Sequence, residues 1–598
     1  MGTTNSGIAY AEIREDADLF APANVQLLAV PQLTNPAEVR EEDLLPSCLY
    51  LPGASDFPGG SLALPWDEKR DFAIGRLAQK RGVENAGRLV SSAKSWLSNS
   101  AVDRTSPLLP FRAPEGVEKV SPVEASKRYL EHLREAWDFK MPDAPFRDQQ
   151  LLVTVPASFD AVARELTLEA AKQAGYQNIT LLEEPQAAFY AWLERHPDWR
   201  ERVAVGDLIL VVDIGGGTTD FTLIAVTESN GELVLNREAV GEHILLGGDN
   251  VDLALAGVVA HRLAEKGTKL DSRQHQALWA NCRVAKEKLL EPGSQAKEQP
   301  VTILGKGSGL VGGTIKATLL ASDIEQVLSQ GFLPAVASTE MPAQQRRTGL
   351  QELGLPYAAD PAITRHMARF LRQMASTAEQ GAVRRGPSGL ACPTHVLFNG
   401  GVLNAELVRQ RILETLNRWL AEEGLPPVKA LSGEDLMHAV SRGAAYYGLA
   451  RTGRGVRIRG GVPRTYYVGV ESAMPSIPGF PAPIKALVVT PFGMEEGTEN
   501  RIAGREFGLV VGQPAEFRFF TSTARKNDEP GELIEDFGDA LDELSPMEVS
   551  FEPGAAAEVV PVSFESVVTE TGVLQLWCVA RDGRRWKLEF NVRERVQS

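Results

Sequence analysis

Between residues 208 and 226 the chain carries two apolar runs around a glycine cluster, a pattern few folds accept. Leu208-Ile209-Leu210-Val211-Val212 ends in Asp213, then Gly215-Gly216-Gly217-Thr218-Thr219-Asp220 leads into Phe221-Thr222-Leu223-Ile224-Ala225-Val226. Apolar runs bounded by glycine predict two strands joined by a tight hairpin. The N-terminal stretch repeats the second half of the pattern, with Gly2-Thr3-Thr4-Asn5 before Gly7-Ile8-Ala9-Tyr10-Ala11. This repetition predicts two related lobes, each opening with an equivalent turn, facing one another.

Consecutive glycines let several backbone N–H groups converge on one point, and such a concavity binds phosphate oxygens. Threonine hydroxyls add neutral donors. Asp213 and Asp220 flank the second turn, where carboxylates can hold the water shell of a magnesium ion. Amides for phosphate and acids for a metal point together to a nucleoside triphosphate with Mg²⁺. Taken alone, the hairpin is equally well only a turn. No G-x-x-x-x-G-K-[ST] motif occurs, and Gly305-Lys306-Gly307-Ser308-Gly309 lacks its ending and reads as a loop.

At 598 residues the chain is too long for one core. Leu151-Leu152-Val153-Thr154-Val155 reads as a buried strand, Ser158 or Asp160 as the cap of a helix running to Ala174, and Gly175 as its stop. Further helices are expected from Glu184 to Arg195, across residues 251–290, and from Ala405 after the strand Val396-Leu397-Phe398-Asn399. Alternating strands and helices predict α/β architecture for residues 1–450. A basic glycine-rich linker, 451–463, follows. Beyond it, strands are expected at 466–471, 486–490, 517–521 and 574–579. The alternation of Trp586, Leu588, Phe590 and Val592 after the Asp582-Gly583 turn adds another, so 464–598 reads as an antiparallel β-sandwich.

The net charge of −16 argues against a nucleic-acid or membrane-coating role. Four widely spaced cysteines (Cys48, Cys282, Cys392, Cys578) exclude redox or zinc spacing and fit a reducing cytoplasm. No apolar run approaches membrane-span length.

These segments resemble the seventy-kilodalton heat-shock chaperones, the DnaK-like family. Residues 1–6 are similar to the end of that family's first phosphate turn, and residues 213–220 to its second. Val155-Pro156-Ala157-Ser158-Phe159 is similar to its Val-Pro-Ala-x-Phe segment, and Glu184-Pro185-Gln186-Ala187-Ala188 to its Glu-Pro-Thr-Ala-Ala. Leu246-Gly247-Gly248-Asp249-Asn250-Val251-Asp252 and Gly443-Ala444-Ala445 match two more segments, all in family order.

The resemblance implies a two-lobed actin-like ATPase domain, with lobe I at 1–205 plus 431–450 and lobe II at 206–430, followed by the β-sandwich as a peptide-binding domain. It implies an ATP–Mg²⁺ site in which Gly2, Thr3, Thr4, Asn5, Gly215, Gly216, Gly217, Thr218, Gly247, Gly248, Lys286, Gly400 and Gly401 bind the nucleotide. Asp213 and Asp220 would organise the metal. Lys94, Glu184, Asp213 and Thr218 would act in hydrolysis, Lys94 stabilising the transferring phosphoryl group and Glu184 orienting the water. Lys94 is otherwise a solvated helix lysine, and Glu184 a helix N-terminal acid. Pro156 and Arg164 would relay nucleotide state to the peptide-binding domain, unless Arg164 faces solvent. Partners implied are extended peptides, a J-domain-type co-chaperone and a nucleotide-exchange factor, with no nucleic acid and no membrane.

The sequence also departs from the family. Met1 stands where a leucine follows the family's first acid, so that acid and its strand are missing. Arg283 occupies an acid position, Leu290 a serine position, and Asn404 the place of a base-stacking arginine. The linker carries arginines at 451, 454, 457, 459 and 464 in place of a leucine-rich acidic signature, and no helical lid is expected after the sandwich. The leading expectation is a lidless chaperone ATPase. The alternatives are a catalytically impaired nucleotide sensor or scaffold, and a sugar or metabolite kinase on the same lobed fold.

Overall fold

The computed structural model describes residues 1–13, 24–111, 113–229, 232–291, 293–305, 313–343, 354–377, 384–431 and 435–452. In the C-terminal part it describes 462, 464–471, 483–494, 498–502, 504–511, 515–522, 525, 527–535, 537–544, 546–549, 558–569 and 574–590. The expected loop at 306–309 and linker residues 453–461 lie outside the described residues, as does the expected strand's continuation to Val592.

In the first lobe, Ile8–Ala11 (β1) pairs antiparallel with Val25–Leu28 (β2). A short helix, Ala93–Leu97 (α1), and a long one, Pro122–Lys140 (α2), precede Leu151–Val155 (β3). The next helix, Ala161–Gln173 (α3), starts where Asp160 accepts a 2.7 Å hydrogen bond from the Ala163 amide and ends at Gly175, whose φ is 88°. Ile179–Glu183 (β4) then lies parallel to β3 and runs directly into Glu184–Arg195 (α4). Among the described residues the β1–β2 and β3–β4 pairs form separate sheets, and a cavity lined by Ile8, Ala11, Leu151 and Thr154 runs between them.

The second lobe is continuous. Leu208–Ile214 (β5), Thr219–Ser229 (β6) and Glu232–Val240 (β7) form a meander, and Gly248–Glu265 (α5), Ser272–Leu290 (α6) and Ile363–Thr377 (α7) follow. His395–Asn399 (β8) joins β5 in parallel, and Glu406–Glu422 (α8) leads to Lys429–Leu431 (β9) on its far side. The strand order is β7-β6-β5-β8-β9. Every residue of β5 is buried because the two-residue period sends its side chains to opposite covered faces. Leu208, Leu210 and Val212 pack with Leu255, Leu278 and Trp419, whereas Ile209 and Val211 pack with Phe189, Trp192 and Tyr447, the last on Ala439–Arg451 (α9).

The described residues after 464 form two antiparallel sheets. One joins Thr465–Glu471, Ile484–Thr490 and Phe519–Ser522; the other is built around Glu558–Val568, Leu574–Ala580 and Arg585–Phe590. Val468, Leu487 and Phe519 share one apolar cluster with Phe564, Leu576 and Leu588 of the second sheet. The single strand expected at 517–521 is two strands. Ala515–Phe517 pairs with Met547–Val549, while Phe519–Ser522 pairs with Thr465–Val468, so the chain changes sheets at Arg518.

Two buried polar groups in the lobes give stability predictions. Glu183 closes β4 between two guanidiniums: Arg164 Nη2 donates to it at 2.8 Å and Arg237 Nη1 donates to its other oxygen. All three side chains are buried. Glu183→Gln leaves two buried cations with a neutral acceptor, and the expected loss is about 3–5 kcal/mol in chemical denaturation.

His132 on α2 is 1% exposed, with Nε2 3.0 Å from the Pro31 carbonyl and Nδ1 3.1 Å from Arg70 Nη1. Burial, then the Arg70 charge, pushes its pKa down to about 3. The unfolded chain therefore takes up a proton that the folded chain refuses. The contribution of His132 is complete above its ordinary value of 6.5 and is lost as pH falls towards 3. Unfolding free energy should fall by up to about 1.4 kcal/mol per pH unit across that window, and His132→Gln should remove this component.

Candidate functional site

The two glycine–threonine turns meet across a cleft. A Cβ on Gly216 would overlap the Thr4 hydroxyl, and one on Gly217 would stand 2.9 Å from Thr3 Cγ2 and 3.0 Å from Ser95 Oγ. Only glycine permits this approach. The second turn is held from below: Gly215 N donates to Thr218 O at 2.9 Å, and the first amides of α5, Gly248 N and Asp249 N, donate to Gly215 O and Gly216 O at 3.0 and 2.7 Å.

A cavity of about 1370 Å³ opens from these turns and continues between β1 and β3. Gly2, Thr3, Thr4 and Asn5 line one side; Gly215, Gly216, Thr218 and Gly248 line the other. Lys94, Glu184, Asp213, Lys286, Gly400 and Gly401 complete the set of expected residues on its wall. Gly217, Asp220 and Gly247 are not on that wall. Gly217 packs on Thr3 and Ser95, and Gly247 lies beneath the turn, where a Cβ would stand 2.6 Å from Gly215 O. Asp220 is buried, accepting a hydrogen bond from Ser158 Oγ.

Lys94 is not a solvated lysine. Its side chain is 4% exposed, and its ammonium donates to Glu184, the first residue of α4. Asp213 lies opposite Asp220 across the β5–β6 ladder and accepts a 2.7 Å hydrogen bond from Asn399 Nδ2 on β8. Burial, then the charges of Glu184 and Asp220, push the Asp213 carboxyl up to about 7, against the opposing pull of Asn399 and Lys94. Gly400, next to Asn399, has φ 92°, and a Cβ there would stand 2.7 Å from Asp213 Oδ1.

On the α5–α6 side, Lys286 Nζ is 2.7 Å from Asp252 Oδ1. Arg283 donates to Asp252 at 2.9 Å through Nε and also to Asp249. The arginine in the family's acid position is thus neutralised by acids on the facing helix. Both pairs use three-residue spacing, Asp249/Asp252 on α5 and Arg283/Lys286 on α6, a signal legible in sequence once the helices are known to face each other.

The donor set fits a magnesium–triphosphate. Glycine amides, three threonine hydroxyls and Lys94 surround the cleft, and Ser95 Oγ and Asn399 Oδ1 are buried without a hydrogen-bond partner beside Gly217 and Asp213. No group of three or more His, Cys, Asp or Glu side chains able to hold a metal occurs among the described residues. Magnesium needs none, since one or two carboxylates with nucleotide phosphates suffice.

The family described as Hsp70 protein matches residues 64–328. This is an Hsp70-like chain. Over 366 residues, 59% of its length, it is 29% identical to a chaperone protein HscA homolog of Bordetella pertussis. Over 222 residues, 34% of its length, it is 32% identical to a protein of the same description from Delftia acidovorans, and over 233 residues, 37% of its length, 30% identical to one from Pseudomonas aeruginosa. The Hsp70-like chain spans 48%, 32% and 35% of the lengths of these three relatives.

Proposed function

We propose that this Hsp70-like chain is a chaperone ATPase that binds Mg-ATP between its lobes and couples nucleotide state to the binding of extended peptide by its C-terminal sheets, read as a β-sandwich. The observation that carries the reading is the meeting of the Thr3–Thr4 and Gly215–Thr218 turns at a cavity that also receives Lys94, Glu184 and Asp213.

In this reading the turn amides and threonine hydroxyls would grip phosphate oxygens, and Asp213 on the cavity wall, with Asp220 behind it, would hold the metal and its waters. Bound Mg²⁺ would neutralise phosphate charge and polarise the phosphoryl group. Lys94 supplies positive charge where negative charge develops, and Glu184 fixes Lys94 and accepts from the attacking water. Lobe closure around the nucleotide is the two-state element. Extended peptides, a J-domain-type co-chaperone and an exchange factor are the proposed partners. That the relatives are named as chaperone proteins favours this reading over a kinase. The four cysteines, all buried and unpaired, support a reducing cytoplasm. No described helix is long and apolar enough to cross a membrane.

The test is steady-state ATP turnover beside calorimetric Mg-ATP binding, each with and without an unfolded peptide. Mg²⁺-dependent binding, with turnover that responds to peptide, is expected. Tight binding without turnover identifies the sensor or scaffold instead, and consumption of ATP only with a sugar present identifies a kinase.

A further inference from the structure

The helix that carries Lys94 is too short to hold itself. It has five residues, Ser92 before it is left-handed with φ 55° and supplies no side-chain cap, and a single helical turn has no stability of its own. Some of its supports lie in the first lobe. Trp96 is buried against Phe111, and the buried Arg104 donates to Leu97 O and Asn99 O, each at 3.0 Å. The other supports come from the second lobe. Ser95 Oγ stands beside Gly217, Ser98 Oγ lies 3.1 Å from His243 Nε2, and Asn99 Nδ2 donates to Gly354 O at 3.0 Å.

Asn99 is completely buried, and its side-chain oxygen accepts from the Ala101 amide at 3.1 Å, which turns its NH₂ group towards Gly354. Gly354 belongs to a segment, 354–360, that touches both lobes. Leu355 packs against the first-lobe cluster that holds Ala93, Trp96 and Val102. Three residues on, Ala358 packs against the second-lobe cluster and its amide donates to Leu245 O at 3.2 Å. Leu245 runs into Leu246-Gly247-Gly248, and the Gly248 amide supports the second phosphate turn at Gly215 O. The far end of the segment is fixed as well: buried Asp360 accepts from the Ala362 amide at 2.9 Å and pairs with Arg365 of α7 at 3.2 Å. One end of the segment therefore moves with α1 and the other with the Gly215–Thr218 turn.

We propose that residues 354–358 are a brace across the cleft and that Asn99, which they hold, is a positioning residue for Lys94. If the lobes part, the Asn99–Gly354 bond and the Leu355 packing are lost together, and α1 is left with its first-lobe supports alone. Lys94 then leaves its place beside Glu184 and the phosphate turns. The consequence for hydrolysis rests on the nucleotide reading given above: a group that stabilises a transferring phosphoryl loses up to about 10²-fold in rate when it is displaced by about 1 Å.

The experiment uses the full chain. Without nucleotide, the rate at which an amine-acylating reagent modifies Lys94 is read by peptide mass mapping against Lys140, which the first lobe alone holds through Ala29 O and Glu41. Asn99→Ala and Leu355→Ala should each raise the Lys94 rate about three- to tenfold relative to Lys140, because the loss is local. General loosening of the fold would raise both lysines together. With saturating Mg-ATP, turnover in both variants should fall about tenfold while affinity stays within about twofold of wild type. Leu355→Met keeps the apolar contact and should match wild type. In a Lys94→Ala background, Asn99→Ala should cost no further turnover, since the residue it positions is gone. A wild-type Lys94 rate in both alanine variants overturns the inference, as does a turnover loss from Asn99→Ala that persists undiminished without Lys94. Selective exposure of Lys94 in a wild-type chain that binds no Mg-ATP upholds the brace and overturns the nucleotide reading instead.

Discussion

Lys94→Ala is expected to lower ATP turnover at saturating nucleotide by about 10²–10³-fold while shifting Mg-ATP affinity by less than about tenfold. The Lys94 ammonium is 4% exposed, held by Glu184 on the cavity wall that also carries Asp213 and the Thr3–Thr4 turn. A buried cation facing a phosphate cradle contributes most where charge is redistributed, in the transition state, whereas the glycine amides grip ground-state phosphates alike with or without it. If Lys94 served only to neutralise Glu184, the variant would lose stability and its affinity and turnover would fall in parallel. Glu184→Gln separates the cases further. It keeps an acceptor for Lys94 but not the charge that compensates it or orients water, so turnover should fall by about 10–10²-fold with a stability loss of about 1–3 kcal/mol. Chemical denaturation beside turnover at saturating ATP distinguishes these outcomes.

The parts of the fold written in local pattern were readable before any coordinates. The β5–β6 hairpin, the helix Glu184–Arg195, the stop at Gly175 and the turn at Gly583 each depend on residues a few positions apart, and the structure has them. The contacts that tune the site are not local. Ser158 meets Asp220 across 62 residues, His243 across 85, and Asn399 reaches Asp213 across 186. Nothing in a single sequence orients such pairs: the two contacts of Ser158 depend on how the lobes pack, and the third on the parallel pairing of β8 with β5. Arg283 shows the limit well. Its place in the family's acid position was visible, but its two acidic partners on α5 emerge only when the helices are brought together. The sheet change at Arg518 is hidden for a similar reason: alternation reports which face is buried and not which strand will pair.

Asp213→Asn should stabilise the ligand-free chain at pH 8 and at the same time weaken Mg-ATP binding by about 10²-fold or more. Both effects come from one carboxyl. Burial and the neighbouring Glu184 and Asp220 raise its pKa from the ordinary 3.8 to about 7. Between those values the folded chain binds a proton that the unfolded chain has released, so the contribution of this group to stability falls as pH rises from about 4 to 7. Above pH 7 the charge is fully present in the fold at a cost of roughly 4 kcal/mol, taking about three pKa units at 1.36 kcal/mol each as an upper figure. An asparagine has no such cost and can still meet Asn399 through its amide, so the variant's gain should be about 2–4 kcal/mol at pH 8 and vanish near pH 4. Binding runs the other way. A cation must displace the proton, so wild-type Mg-ATP affinity should weaken towards about tenfold per pH unit below pH 7, while Asp213→Asn binds weakly with no such dependence. A variant that loses affinity without gaining ligand-free stability at pH 8 would show that Asp213 is not held against its charge. One that keeps wild-type affinity at every pH would remove it from the metal site.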